Sequence, residues 1–208
     1  MKKLTFYFLI SLFFITNVLA DQLVVSDIKL GTKLTDYFST AQISEYNIND
    51  KPATSPYFSY DGKYSWFKIV KESNLYKDNY DKIDINYANN NDEIANIGAI
   101  SDTEFDNSNG FNKCIKTRNQ KVSEYKKKNM LIGVNKITQK VIHPDKVKED
   151  TITFKNTFKR TYISFSCLDY SNHVLANPDK KYAVDFRIDY FTQDFNEWLL
   201  EQEKKHNN

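Results

Sequence analysis

Alternation of apolar and polar residues with a period of two predicts most of the β-strands in this chain. A strand with one buried face places every second side chain on that face. The clearest example is residues 182–190, in which Val184, Phe186 and Ile188 alternate with charged neighbours. The same pattern predicts strands at residues 83–87, 94–100, 152–154 and 163–167, the first two joined as a hairpin by the polar turn 89–92.

A helical period replaces this alternation in two places. From Phe111 onward, six residues fall on one helical stripe: Phe111, Cys114, Ile115, Arg118, Val122 and Tyr125. Near the C-terminus, Phe195, Trp198 and Leu199 share a face, and Asp194 and Glu197 suit the positive end of a helix. The sequence therefore predicts an α+β fold, an antiparallel β-sheet with a long central helix and a C-terminal helix packed on it.

Weaker signals complete the predicted elements. Residues 23–30 have the composition of a strand, and the helical stretch that follows Gly31 places Leu34 and Phe38 on one face. Residues 129–150 are less regular in pattern, and His143-Pro144-Asp145 is typical of a loop. No composition shift or repeat divides residues 21–208, so we expect a single domain.

An aromatic-rich hairpin is predicted around Asp61-Gly62, because both turn positions favour positive φ. In a two-residue turn, one side of the hairpin would carry Tyr57, Tyr64 and Trp66. The other side would carry Phe58, Tyr60 and Phe67. One side should pack on the core. The side with Tyr57, Tyr64 and Trp66 is then either covered by another element or presented as a candidate surface for a sugar or a protein.

The first twenty residues have the three-part layout of a secretory signal peptide. Lys2 and Lys3 precede an apolar run, and Val18-Leu19-Ala20 provides small residues for cleavage before Asp21. The alternative is an uncleaved membrane anchor, but the apolar run is shorter than the roughly 20 residues that span a bilayer. We expect a periplasmic or secreted protein with no stable membrane span after cleavage.

Two cysteines are the strongest candidate for specific chemistry. Cys114 lies on the inward stripe of the predicted helix, and Cys167 lies on the inward face of a predicted strand. In an exported chain, such a pair predicts a structural disulfide. A redox-active thiol is the alternative, but no C-x-x-C motif or neighbouring histidine supports it.

Composition and charge exclude several classes of protein. The chain has 208 residues, with 15% aromatic and 40% hydrophobic side chains, which is typical of a globular domain. Cleavage after residue 20 would leave 27 basic and 27 acidic side chains. A neutral, exported chain is a poor candidate for a nucleic-acid-binding protein.

Recognised catalytic and cofactor motifs are absent from the sequence. Ser123 and Lys126 match S-x-x-K spacing, but the companion motifs of penicillin-binding enzymes are missing. The three histidines are isolated, and no Gly-rich phosphate loop occurs. We therefore assign no catalytic residue, metal ligand or cofactor from the sequence.

Residues 28–38 and 80–114 resemble small secreted proteins of unknown function from AT-rich marine bacteria. This resemblance implies an exported setting and no particular activity. The hydrophobic-Gly-x-x-x-x-Asp pattern at Leu30, Gly31 and Asp36 also resembles the start of small envelope lipoproteins of the outer-membrane assembly type. That second resemblance implies an adaptor role, although the lipid-bearing cysteine of those proteins is missing.

Two hypotheses for function follow. The first is a non-catalytic binding domain, with an envelope protein or a glycan as its partner. The second is a hydrolase with a site assembled from dispersed Asp and Glu residues and from His143 or His173. A concave pocket with converging ionisable groups would favour the enzyme.

Overall fold

The computed structural model describes residues 28–47, 62–70, 80–128, 135–142, 147–172 and 183–206. Within these ranges, the chain forms seven β-strands, three α-helices and two short 3-10 helices at Leu34–Asp36 and Thr103–Phe105. The α-helices are α1 (Thr40–Tyr46), α2 (Gly110–Lys127) and α3 (Gln193–His206). The strands are β1 (Tyr64–Val70), β2 (Lys82–Ala88), β3 (Ile94–Ser101), β4 (Asn135–Ile142), β5 (Lys148–Asn156), β6 (Thr161–Asp169) and β7 (Val184–Thr192).

All seven strands belong to one antiparallel sheet in the order β1-β2-β3-β7-β6-β5-β4. The last strand in the sequence, β7, lies between β3 and β6 near the middle of this sheet. The predicted hairpin of β2 and β3 is confirmed, and Asp92 in its turn has a positive φ of 59°. The mixed α+β class with an antiparallel sheet is also confirmed.

One face of the sheet, here called the apolar face, forms the main hydrophobic core. Its side chains line up across the strands because directly paired residues point to the same side of a sheet. The central cross-strand row consists of Ile69, Ile83, Ala99, Ile188, Phe165 and Ile152. All six are buried, so this row joins six of the seven strands into one core.

Helix α2 covers the apolar face where β6 and β7 run side by side. The stripe predicted from the sequence is the buried one, with Cys114 and Val122 inside. The helix begins at Gly110, where an added Cβ would lie 1.8 Å from the Phe105 carbonyl oxygen. A side chain at this position would therefore force the helix away from the preceding 3-10 turn.

The predicted disulfide is confirmed. Cys114 on α2 bonds to Cys167 on β6, and both residues are fully buried. One turn further along α2, Arg118 forms a buried ion pair with Asp150 on β5 and also donates to its backbone carbonyl. The disulfide and the ion pair together fix the helix across two adjacent strands.

Two sequence predictions need correction. Residues 135–142, to which the less regular sequence pattern assigns no element, form strand β4, which pairs with β5 along its whole length. At the other end of the chain, Ile28 to Leu30, expected to end a strand, are not in a strand. Gly31 then makes a turn with φ 76°, as its position suggested. The predicted signal peptide 1–20 and residues 23–27 lie outside the described residues.

Candidate functional site

The opposite face of the sheet, here called the polar face, carries the residues that are candidates for function. Tyr64 and Trp66 on β1 point to this face, while Phe67 points to the apolar face and is fully buried. The alternation predicted for this segment is therefore confirmed for the described residues. Tyr57, the third member of the candidate binding surface, lies outside them.

Helix α3 covers one end of the polar face. It follows β7 directly, and Phe195 N–H donates to the Thr192 hydroxyl oxygen at 3.2 Å, which caps the first turn. Phe195 and Trp198 lie on the side of α3 that packs on the sheet, and both are buried, as predicted. Both rings make edge contacts with Tyr64, with ring centroids 5.1 Å apart in each case. Tyr64 therefore lies partly beneath α3.

A cavity of about 500 Å³ opens between α3, the start of β1 and the β2–β3 turn. At the base of this cavity, Trp198 is buried and Tyr64 is half-buried. The four described carboxylate residues that line the cavity are exposed. We call this cavity the acidic groove. Its defining residues are Tyr64 and Trp198 on the floor and Glu93, Asp194, Glu197 and Glu201 on the rim.

The carboxylates on the rim differ in their partners. Asp194 forms an ion pair with Arg160 at 3.1 Å. Glu197 accepts a hydrogen bond from the Gln193 amide at 2.7 Å, and Glu93 accepts one from the Asn91 amide at 3.2 Å. Within the described ranges, no Lys, Arg or His nitrogen lies within 4 Å of the carboxylates of Glu93, Glu197 and Glu201. The rim therefore has an excess of negative charge.

Two lysines lie against the aromatic rings of β1. Lys63 places its ammonium nitrogen 5.4 Å from the centroid of the Tyr64 ring, at the mouth of the acidic groove. The ammonium nitrogen of Lys68 lies 4.6 Å from the centroid of the Trp66 ring. These distances are typical of cation–π contacts. The two aromatic residues of the candidate surface thus already contact cations of the same chain.

A second group of charged residues lies further along the polar face, around Gly98 on β3. The cross-strand row here consists of Lys68, Asp84, Gly98, Asp189, Ser164 and Thr153. An added Cβ at Gly98 would lie 2.5 Å from the Asp189 carboxylate and 3.4 Å from the Arg187 guanidinium. The missing side chain of Gly98 thus leaves room for these two groups to meet.

Arg187 is the centre of this group, which we call the Gly98 cluster. Its guanidinium Nη2 lies 3.3 Å from Asp189 Oδ1 and 3.5 Å from Asp84 Oδ2. Lys68 Nζ approaches the other oxygen of Asp84 at 3.8 Å. Asp84 is only 2% exposed, so its charge depends on these cations for compensation. The cluster consists of Lys68, Asp84, Asp185, Arg187 and Asp189.

Burial shifts the acid–base properties of the cluster. It raises the pKa of Asp185 to about 6, although the positive charges of Arg187 and Lys82 oppose the shift. It also raises the pKa of Asp189, against the opposing charge of Arg187. Burial by itself would lower the pKa of Arg187. The negative charges of Asp189 and Asp84 outweigh this effect and raise the pKa above its ordinary value. Arg187 therefore stays charged, while Asp185 can take up a proton near pH 6.

The acidic residues expected for a dispersed site are thus partly brought together. Asp84 and Asp189 lie within 4 Å of Arg187, and the charge of Arg187 also acts on the pKa of Asp185. His143 and His173 lie outside the described residues. The sequence patterns described above predict none of these aspartates as a site residue. A signal was present in the D-x-R-x-D spacing of residues 185–189, which places three charges on one face of a strand.

The described part of the chain has neither a metal-binding cluster nor a membrane-spanning helix. No group of three or more His, Cys, Asp or Glu residues there is arranged to hold a metal ion. None of the helices found there is long and apolar enough to cross a membrane.

Comparisons with known proteins give no relative for this chain. No protein-family model, no characterised protein and no solved structure matches it. A functional proposal therefore depends on the contacts within this chain.

Proposed function

We propose that the protein is an exported, non-catalytic binding domain whose partner occupies the acidic groove. The observation that carries the proposal is a cavity of about 500 Å³ with aromatic residues on its floor and excess carboxylates on its rim. Ligand sites usually combine a concave shape with an apolar floor and a few polar groups that orient the ligand. The acidic groove has each of these properties. Its carboxylates are all exposed, whereas the acid–base groups of an enzyme are usually tuned by burial, so the groove favours binding over catalysis.

Export is supported by the disulfide and by the signal-peptide pattern. A buried disulfide between α2 and β6 is stable in an oxidising compartment and is rare in the cytosol. The partner is accordingly a component of the periplasm or of the cell exterior, either an envelope protein or a glycan.

The Gly98 cluster supports a second proposal, a hydrolase with Asp185 as its acid. A carboxyl group with a pKa of about 6 is suited to give or take a proton near neutral pH. Hydrolysis of model ester, phosphate and glycoside substrates tests this proposal. Turnover that is lost in Asp185→Asn and kept in Glu197→Gln/Glu201→Gln would favour the hydrolase over the binding domain.

Site-specific photo-crosslinking tests the binding proposal directly. Benzoylphenylalanine in place of Asn90, an exposed residue of the acidic groove, samples the proposed site. The control is the same substitution at Lys116, an exposed position on α2. In a native envelope fraction, we expect a discrete product from position 90 and none from position 116.

A matched pair of double variants then links this product to the groove. Glu197→Gln/Glu201→Gln should reduce crosslinking at position 90, because it removes two rim charges. Glu104→Gln/Glu124→Gln makes the same change of charge at two exposed residues outside the acidic groove, and it should have no effect. Equal products from positions 90 and 116, or equal effects of the two double variants, would contradict the proposal.

A further inference from the structure

We propose that the acidic groove recognises lysine side chains presented by an extended segment of a protein partner. This inference rests on the proposed function, because it names the chemistry of the ligand for the same site. It draws on three observations: the charge of the rim, the aromatic floor and the spacing of the carboxylates.

The charge of the rim selects a cation. Among the described residues, four carboxylates and one lysine, Lys63, line the cavity, and Arg160 is paired with Asp194. Glu93, Glu197 and Glu201 have no cation within 4 Å among the described residues. A positively charged ligand would gain attraction from these three groups, whereas an anionic or neutral ligand would not.

The aromatic floor favours an ammonium group at close range. Tyr64 is half-buried and lines the cavity, and it meets the buried Trp198 ring at 66°, with centroids 5.1 Å apart. The chain itself places a lysine ammonium 5.4 Å from the Tyr64 ring, through Lys63. A lysine of the partner that enters the groove would make the same type of contact with an aromatic ring.

The spacing of the carboxylates matches an extended chain. Asp194, Glu197 and Glu201 are at positions i, i+3 and i+7 of α3, so they lie along one stripe of the helix. The rise between Glu197 and Glu201 is about 6 Å along the helix axis. Alternate residues of an extended strand are about 6.6 Å apart and point the same way. Two lysines separated by one residue can therefore approach both glutamates together.

The open rim favours a chain over an enclosed small molecule. The side chains of Glu93, Asp194, Glu197 and Glu201 are all exposed, so that a segment can enter and leave the groove at the surface. Ammonium groups are compact point charges and suit single carboxylates, whereas arginine gains most from a bidentate carboxylate partner. These features favour a lysine-rich segment.

Calorimetric titration of the intact, oxidised protein at low salt tests the inference. The probes are a blocked hexapeptide of alternating Lys and Ser, the same peptide with Glu in place of Lys, and spermidine. We expect the Lys-Ser peptide to bind, with an affinity that falls as salt is added. The Glu-Ser peptide should not bind, and spermidine should bind more weakly than the Lys-Ser peptide.

The double variants locate the binding site. Glu197→Gln/Glu201→Gln should weaken binding of the Lys-Ser peptide by about fivefold to tenfold, as expected for the loss of two exposed charge pairs. Glu104→Gln/Glu124→Gln should leave the affinity unchanged. Thermal unfolding of both variants shows that each is folded, so a change in affinity reports the groove.

The outcomes separate the two proposals. Spermidine binding as tightly as the peptide would overturn the assignment to a protein segment. Failure of both cationic probes, with crosslinking at position 90 intact, would overturn lysine recognition and leave the binding domain standing. Failure of both the titration and the crosslinking would overturn both proposals.

Discussion

The two faces of the sheet are built from the same seven strands but are buried in different ways. On the apolar face, a row of aliphatic and aromatic side chains from Ile69 to Ile152 is buried by hydrophobic contact. On the polar face, the row that contains Asp84, Gly98 and Asp189 needs ion pairs to compensate its charges. Hydrophobic contact tolerates many arrangements, whereas a buried charge requires one particular partner.

This difference separates stability from recognition. The apolar face carries the main core and the disulfide, so we expect changes there to act on the free energy of unfolding. The polar face carries the acidic groove, where we expect changes to act on ligand affinity. It also carries the Gly98 cluster, where we expect changes to act on stability through close packing and through its dependence on pH. The predictions below test this separation.

Removal of the disulfide should have the largest effect on stability. The Cys114→Ala/Cys167→Ala variant opens a loop whose ends are 53 residues apart, and it should lower the free energy of unfolding by roughly 4 kcal/mol. Urea denaturation measures the change, and reduction of the unmutated protein under native conditions should give a similar loss. A loss of less than about 1 kcal/mol would show that packing and the Arg118–Asp150 ion pair hold α2 without the disulfide.

Filling the space above Gly98 should have the next largest effect. Gly98→Ala places a Cβ against the Asp189 carboxylate and should cost about 1–3 kcal/mol, as overpacking of a close-packed site does. In an Asp189→Ala background, the clash is absent and the cost should shrink. Additive effects in this double-mutant cycle would contradict the contact between the two residues.

Protonation of Asp185 should make stability depend on pH. Its pKa is about 6 in the folded protein and about 3.9 in an unfolded chain, so the folded state binds more protons between these values. Stability should therefore fall as pH rises from about 4 to about 6, by at most about 3 kcal/mol from this group.

The Asp185→Asn variant isolates this contribution. It should flatten the fall in stability over this pH window relative to the unmutated protein, because its side chain stays neutral. Glu124→Gln, at an exposed position on α2, is the control and should keep the slope. Urea denaturation at several pH values measures both, and an unchanged slope in Asp185→Asn would show that this carboxyl does not titrate in that window.

Replacement of Phe158, the most exposed aromatic residue among those described, should have the smallest effect. Phe158 is 94% exposed in the turn between β5 and β6, and Phe158→Ser should change the free energy of unfolding by less than about 0.5 kcal/mol. Denaturation midpoints measure this change. A loss of more than about 1 kcal/mol would show that Phe158 packs against part of the protein.

The features predicted correctly from the sequence are those whose signals are local. The stripe of α2, the hairpin of β2 and β3 and the buried face of β7 each repeat with a fixed period within one segment. Cys114 and Cys167 were paired because each lies on a predicted inward face. Strand β4 was missed because its only neighbour among the described strands is β5, and such an edge strand needs little apolar alternation.

The two candidate sites were not predicted because they depend on distant segments. Asp84 and Asp189 flank Gly98 only through the register of β2, β3 and β7, which no single segment encodes. The acidic groove likewise combines Tyr64, Glu93 and α3. The alternating charges at residues 185–189 can be read from the sequence. This pattern is typical of the solvent-facing side of a strand, so it does not predict that the charged side chains are buried.

The position of β7 has a consequence for synthesis and folding. Because β7 is the last strand in the sequence and separates β3 from β6, a chain that lacks it presents both of those strands without the neighbour that joins them. Exposed strand edges invite pairing with other chains. The sheet therefore cannot close until β7 (Val184–Thr192) has been synthesised. A product truncated before β7 gains two further unpaired strand edges, one on β3 and one on β6.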